Sequence, residues 1–322
     1  MSNKMARIII KYYGLLALFF LLFFEGLLFK GSPFIGRWFY LFAWWPYIFF
    51  VDWLVHRKTG NSLIINRTKE FLWLIPWSTF LWLIFEWFNL YLKNWHYINI
   101  IPSLPLRWLG YFLSFGTVLP GLFETYELLW AYGVFSQEHT KPLSSAQRLY
   151  PWLTLLGILS LLLPVTYPRY FFPLVWGSFV FLLEPINHAL RGPSLLREWE
   201  GGSRRKFYLL LTSGLICGFL WEFWNFWATS KWIYTVPFVG QIKLFEMPIL
   251  GFLGFPPFAV ECYVMVSFLA FFRGGKTWER GSPKGRPLGP WALLLIILLH
   301  LSFDLFMFHQ IDTHTVWSFL PQ

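Results

Sequence analysis

An all-α, polytopic membrane bundle is the fold class this sequence predicts, and three observations predict it. Hydrophobic residues make up 57% of the chain and charged residues 13%, against about 25% charged in soluble domains. Several apolar runs approach the roughly 20 residues that carry a helix across a bilayer. Lys and Arg gather in the short segments between those runs, and more on one side than the other. The net charge of +10 therefore reads as topology, and no nucleic-acid partner is expected.

In chain order, Lys4, Arg7 and Lys11 precede an apolar run that continues to about Phe29 without a small-residue cleavage site. This reads as a retained first helix, not a removed signal peptide. Eight more apolar segments follow, for nine transmembrane helices near 9–29, 38–55, 71–92, 108–134, 150–167, 170–188, 207–227, 248–272 and 290–309. Pro168 separates the fifth from the sixth, and the second begins in the aromatic cluster FYLFAWWPYIFF. With the N-terminus inside, nineteen Lys and Arg fall on the inner side and seven on the outer. That bias places the 56–70, 135–149, 189–206 and 273–289 segments in the cytoplasm and the C-terminus outside. The expected location is the bacterial inner (cytoplasmic) membrane. Cys217 and Cys262 both fall inside expected spans, so no disulfide framework is read.

The chain repeats itself. Glu86, Asn89, Trp95, Tyr97, Pro120 and Glu124 recur in order, about 137 residues later, as Glu222, Asn225, Trp232, Tyr234, Pro257 and Glu261. A second block, Asp52-x3-His56-x3-Gly60-x-Ser62-Leu63, recurs as Glu184-x3-His188-x3-Gly192-x-Ser194-Leu195. The unit is four helices: 1–147 holds the first repeat, 148–288 the second, and 289–322 a ninth helix and tail. An even number of spans gives both repeats one orientation, related by an axis along the membrane normal.

Nine of the sixteen acidic residues fall within expected spans. Such groups are functional candidates by default because a bare carboxylate in hydrocarbon is costly. No Lys or Arg lies deep in a span to pair with them, so desolvation favours the neutral acid, which is a usable proton donor. Glu86, Glu124, Glu222 and Glu261 are the candidate catalytic acids. Mid-span Glu124 and Glu261 are expected to be neutral at pH 7. Asn89, Asn225, Trp95, Tyr97, Trp232 and Tyr234 are candidate supports, and so are Asp52 and Glu184. Glu25 and Glu127 lack a repeat partner and read as structural. The structural alternative for the whole set is that the acids tie helices together around a wet interior.

Three pairs stand four residues apart and hence on one helical face: Asp52/His56, Glu184/His188 and His300/Asp304. They could be ion pairs, proton relays or metal ligands, or interface histidines capped by a neighbouring acid. No DxxxD, Walker loop, GxSxG or HExxH occurs, so the common phosphate, hydrolase and protease readings lack support, and no metal centre or cofactor is assigned. The aromatic load of 38 Phe, 21 Trp and 15 Tyr suits membrane interfaces and can also stabilise a developing cation.

Two segments, Glu86…Trp95-His96-Tyr97…Pro120-Gly-Leu-Phe-Glu124 and Glu222…Trp232-Ile233-Tyr234…Pro257-Phe-Ala-Val-Glu261, resemble the lycopene cyclase domain of membrane-bound carotenoid cyclases. That domain also occurs as two related copies. The likeness covers roughly 71–130 and 207–265. In that family paired acids directly follow the proline, where this chain has one Glu four residues on. The chain as a whole is similar to bacterial multipass membrane proteins. The resemblance implies redox-neutral, acid-catalysed cyclisation or isomerisation of an isoprenoid or other apolar membrane lipid. The rival expectations are a proton- or cation-coupled transporter or channel, and a non-catalytic membrane subunit.

Overall fold

The computed structural model describes residues 3–281 and 288–319. Eight of its helices are long and apolar enough to cross a membrane, and the chain is built as an integral membrane protein. Helix α1 (Asn3–Phe29) packs along α2 (Pro33–Thr59). A short α3 (Leu63–Asn66) leads into α4 (Thr68–Leu92), and α5 (Leu104–Phe115) and α6 (Val118–Ala131) follow. Next come α7 (Tyr150–Thr166), the one-turn α8 (Pro168–Phe171), α9 (Ser178–Ala189), α10 (Leu195–Glu200) and α11 (Arg205–Trp227). Helices α12 (Phe255–Leu269) and α13 (Pro290–His314) close the bundle. Exposed apolar side chains crowd its rim, for example Phe19, Leu162 and Trp291, as a lipid-facing surface requires.

The fourth expected helix, 108–134, is two helices with a break at Gly116 and Thr117. The cause is a hydroxyl inserted into the helical ladder. Ser78 of α4 donates to the Phe115 carbonyl at 2.5 Å and accepts from the Leu119 N–H at 3.0 Å. It thereby replaces the i→i+4 bond those two groups would otherwise share. Thr79 adds a bond to the Phe112 carbonyl at 3.1 Å. Proline follows at position 120, which has no N–H to lose. The eighth expected helix also has an irregular start, a 3₁₀ turn over Ile249–Gly254 ahead of α12. The sixth is interrupted too, by a 3₁₀ turn over Phe172–Trp176 between α8 and α9.

At one end of the bundle the charged 56–70 and 189–206 segments fold as α3 and α10. The 273–289 segment lies partly outside the described residues. Asp52 and Glu184 organise these turns in the same way. Asp52 accepts from Ser62 Oγ at 2.8 Å and the Ile64 N–H at 2.7 Å. Glu184 accepts from Ser194 Oγ at 2.5 Å and the Leu196 N–H at 2.8 Å. Ser62 and Ser194 are in turn the N-caps of α3 and α10. Each acid thus sits against the positive end of a short helix.

Helices α6 and α12 form the core. The first packs on α2, α4 and α11, and the second on α9 and α11. Gly214 lets α11 reach α12, since a Cβ there would lie 2.4 Å from the Phe255 carbonyl oxygen. Gly157 does the same for α7 against the Leu182 backbone, at 2.7 Å. Small residues at such contacts let helix backbones approach closely inside a membrane.

At the other end the two Trp-x-Tyr stretches form strands, a feature absent from the helical expectation. β1 (Trp95–Ile98) pairs antiparallel with β2 (Lys231–Tyr234). Their register sets Trp95 opposite Tyr234, His96 opposite Ile233 and Tyr97 opposite Trp232. A smaller hairpin, β3 (Lys243–Leu244) with β4 (Met247–Pro248), follows. The end of α13 joins the ribbon: the Tyr97 N–H donates to the Thr315 carbonyl at 2.9 Å, and Tyr97 bridges Val316.

Candidate functional site

Each Glu-x-x-Asn…Trp-x-Tyr motif is a hydrogen-bonded clamp. Asn89, in the last turn of α4, acts as a peptide mimic, accepting from the Trp95 N–H at 3.3 Å and donating to its carbonyl at 2.9 Å. Asn225 ends α11 and holds Trp232 in the same way, at 3.0 and 2.8 Å. Strand side chains alternate, so Trp and Tyr two residues apart share a face. That face turns back toward the Glu lying one helical turn before the Asn.

The two clamps differ in how they treat the acid. One oxygen of Glu86 accepts from Trp82 Nε1 at 2.9 Å, Trp95 Nε1 at 3.0 Å and the Tyr97 hydroxyl at 2.5 Å. The corresponding oxygen of Glu222 accepts from Tyr234 at 2.7 Å, while Trp232 Nε1 donates to the Tyr234 hydroxyl at 2.8 Å. Gly218 stands four residues before Glu222, where Trp82 stands before Glu86, so that indole donor is missing. Both acids keep a second oxygen buried without a partner in the described structure. Burial and the adjacent carboxyl push the Tyr97 and Tyr234 phenols well above their ordinary range, so each remains a hydrogen-bond donor.

Beside the ribbon lies a cavity of about 500 Å³, within the roughly 300–1,000 Å³ span of small-molecule sites. Its walls are mainly aromatic, with Trp82, Trp95, Trp176, Trp221 and Phe258 among them. Glu222 lines it, together with Asn225, Trp232 and Tyr234; Trp95 and Tyr97 line it from the other clamp. Glu86, Glu124 and Glu261 do not. Of the four candidate acids, the structure thus brings one to the cavity.

The remaining candidates take other positions. Glu261 caps α9, accepting from the Phe179 N–H at 2.7 Å and Ser178 Oγ at 3.3 Å. Glu124 is fully buried among Asp52 and Glu127. Asp52 receives Tyr13 at 2.5 Å besides the donors of α3, and His56 is not among its partners. His188 turns away from Glu184: its Nδ1 meets the Tyr150 hydroxyl at 2.6 Å and its Nε2 meets Glu200 at 3.0 Å. The expected Glu184/His188 pair is therefore replaced, because Ser194 and α10 already hold Glu184. Only His300 and Asp304 approach each other as expected, at 3.1 Å on α13.

Glu25 and Glu127 are structural links. Glu25 accepts from Trp224 Nε1 at 3.0 Å. Glu127 binds Arg67 through both oxygens at 2.5 Å, so one intramembrane acid does have a cation, supplied from the turn before α4. Among the described residues no group of three or more His, Cys, Asp or Glu comes together to hold a metal.

Several important residues escaped the sequence reading. Trp82 stands four before Glu86, on its helical face, and that spacing was the available signal. Asp312 lies beyond the expected end of the last helix. It accepts from Arg107 Nε and Nη2 at 2.8 Å, Trp108 Nε1 at 2.9 Å and the Tyr111 hydroxyl at 2.9 Å.

His96, within β1, packs against Trp317 with ring centroids 4.4 Å apart and the rings tilted by 36°. Its pKa is lowered from 6.5 by burial and then by Lys93. The folded state thus binds this proton more weakly than the unfolded chain. Its contribution to stability is present above about pH 6.5 and is lost as pH falls through the lower folded value. Thermal unfolding in detergent between pH 7.5 and 5 should show a falling Tm, and a shallower fall in His96→Gln. Equal slopes in the two proteins would remove His96 from the pH response.

No family model, curated protein or solved structure matches this chain.

Proposed function

We propose that the chain is a membrane enzyme that takes a long apolar, isoprenoid-like lipid into the aromatic cavity and rearranges it without change of oxidation state. The observation that carries this reading is the position of Glu222 on the cavity wall, with one oxygen positioned by Tyr234 and the other unpartnered. In the proposed step the Glu222 proton is transferred to an alkene carbon, and the π electron pair forms the new C–H bond. The cation left on the neighbouring carbon is faced by indole and phenyl rings. Either a proton leaves the adjacent carbon, or a second alkene closes on the cation and the new cation then loses a proton from its own neighbouring carbon; in both cases the C–H electron pair forms the new double bond and the proton returns to the Glu222 carboxylate. Atoms and electrons balance with no oxidant or cofactor. The similarity to lycopene cyclase domains supports the same chemistry, with the acid, Trp and Tyr of the second clamp in the active roles.

One observation favours transport instead. The α5–α6 break lies two turns from buried Glu124, and broken helices mark ion paths in many transporters. Here the freed backbone groups are already satisfied by Ser78, which favours the enzyme.

Untargeted lipid extraction from cells with and without the protein tests the proposal. The expected result is consumption of one lipid and appearance of an isomer of equal mass. Indistinguishable lipid profiles would count against catalysis.

A further inference from the structure

The cavity wall carries three cations and one acid, and their pairing is uneven. Arg107 is bound through Nε and Nη2 by Asp312 at 2.8 Å, and Lys231 by Glu246 at 2.6 Å. Arg37, in the second turn of α2, is exposed and has no hydrogen-bond or ion-pair partner among the described residues. The fourth charged group, Glu222, is held by Tyr234. Among the described residues the one unneutralised charge on the wall is therefore positive, and it is carried by an exposed side chain.

The rim has a second feature. Leu250 and Leu253 line the cavity and are 60% and 71% exposed. They belong to the 3₁₀ turn that opens the span Ile249–Arg273. Large apolar residues exposed at the edge of the cavity make that edge apolar, a surface along which an apolar chain can enter.

We propose that the occupant is a membrane lipid with one long isoprenoid chain and an anionic phosphate head: the chain lies among Trp82, Trp176 and Phe258, and Arg37 holds the phosphate. This rests on the cavity being the substrate site, and it adds the head group that selects the substrate. A guanidinium matches a phosphate with two parallel N–H···O bonds, which gives orientation as well as attraction. With its head fixed at Arg37 the lipid has one register in the cavity, and one stretch of its chain faces Glu222.

Binding can be measured apart from turnover, using full-length protein in detergent and two probes with the same chain, geranylgeranyl monophosphate and geranylgeraniol. The wild type should bind the phosphate at least about tenfold more tightly than the alcohol, the scale of a charge-assisted contact. Arg37→Gln should shrink that ratio to about twofold or less while leaving affinity for the alcohol unchanged, a pattern that misfolding cannot produce. Ser114→Trp, which adds an indole to the cavity wall, should weaken both probes. Equal binding of phosphate and alcohol by the wild type would overturn the head-group assignment and leave the cavity reading standing. A preference for phosphate that survives Arg37→Gln would place the phosphate elsewhere. If neither probe binds, or Ser114→Trp binds both unchanged, the cavity itself is not the lipid site.

Discussion

Glu222→Gln should abolish the lipid conversion, with a loss of about 10²–10⁴-fold, the usual contribution of a positioned general acid. Glu86→Gln should leave conversion measurable and lower the unfolding temperature. The difference follows from surroundings, since both acids are fully buried. Glu86 serves as acceptor for two indoles and a phenol, and it lies off the cavity wall. An amide carbonyl can still accept those three bonds, though more weakly than a carboxylate. Glu222 faces the cavity and is held by Tyr234, with no counterpart of Trp82 four residues before it. An amide in its place keeps the Tyr234 bond but has no acidic proton to give. Lipid extracts from cells expressing each variant at matched levels make the comparison. Full conversion by Glu222→Gln would end its role as proton donor, and the cavity would then be a binding site only.

Asp312→Ala should cost about 3–5 kcal/mol of stability, the range for breaking a buried ion pair from one side. Arg107 is only 8% exposed, and its guanidinium would lose the carboxylate that meets its Nε and Nη2. Trp108 Nε1 and the Tyr111 hydroxyl would lose their acceptor at the same time. Since Asp312 joins the end of α13 to the start of α5, the C-terminal contacts of the ribbon should loosen with it. Unfolding in detergent measures the loss, and the Arg107→Leu/Asp312→Leu double variant provides the comparison. The double variant should recover part of the stability because no charge is left buried. A single variant within about 1 kcal/mol of wild type would show that water already reaches the pair.

The helices were legible because each apolar run is long enough to be read alone. What the sequence could not show were structures made by distant partners. The ribbon pairs WHYI with KWIY across more than 130 residues, and four residues between helices carry too little alternation to announce a strand. The α5–α6 break depends on a hydroxyl from another helix, while 108–134 by itself reads as one apolar run. The repeated spacing drew attention to Glu, Asn, Trp and Tyr, and these residues meet in hydrogen-bonded clamps. Spacing could not tell which acid reaches open space and which is enclosed. That difference rests on neighbours such as Trp82 and Gly218, and on the path of the C-terminal tail. Asp52 and Glu184 had the same repeated appearance, yet both are occupied in shaping the turns before α4 and α11.

The ribbon also constrains how this molecule can move. A ladder over Trp95–Ile98 and Lys231–Tyr234, joined by the Tyr97–Thr315 bond, fastens the two helical groups at one end. If one group rocks against the other, that end is the pivot, because prying it apart would forfeit a whole row of backbone bonds at once. The lever arms are then the lengths of α4 and α11, and the largest displacement falls at the far end, around α3 and α10. The volume beside the ribbon consequently stays nearly constant through any such rocking. A chamber at the fulcrum suits a reaction that needs fixed geometry better than a cargo that must be released on the opposite side.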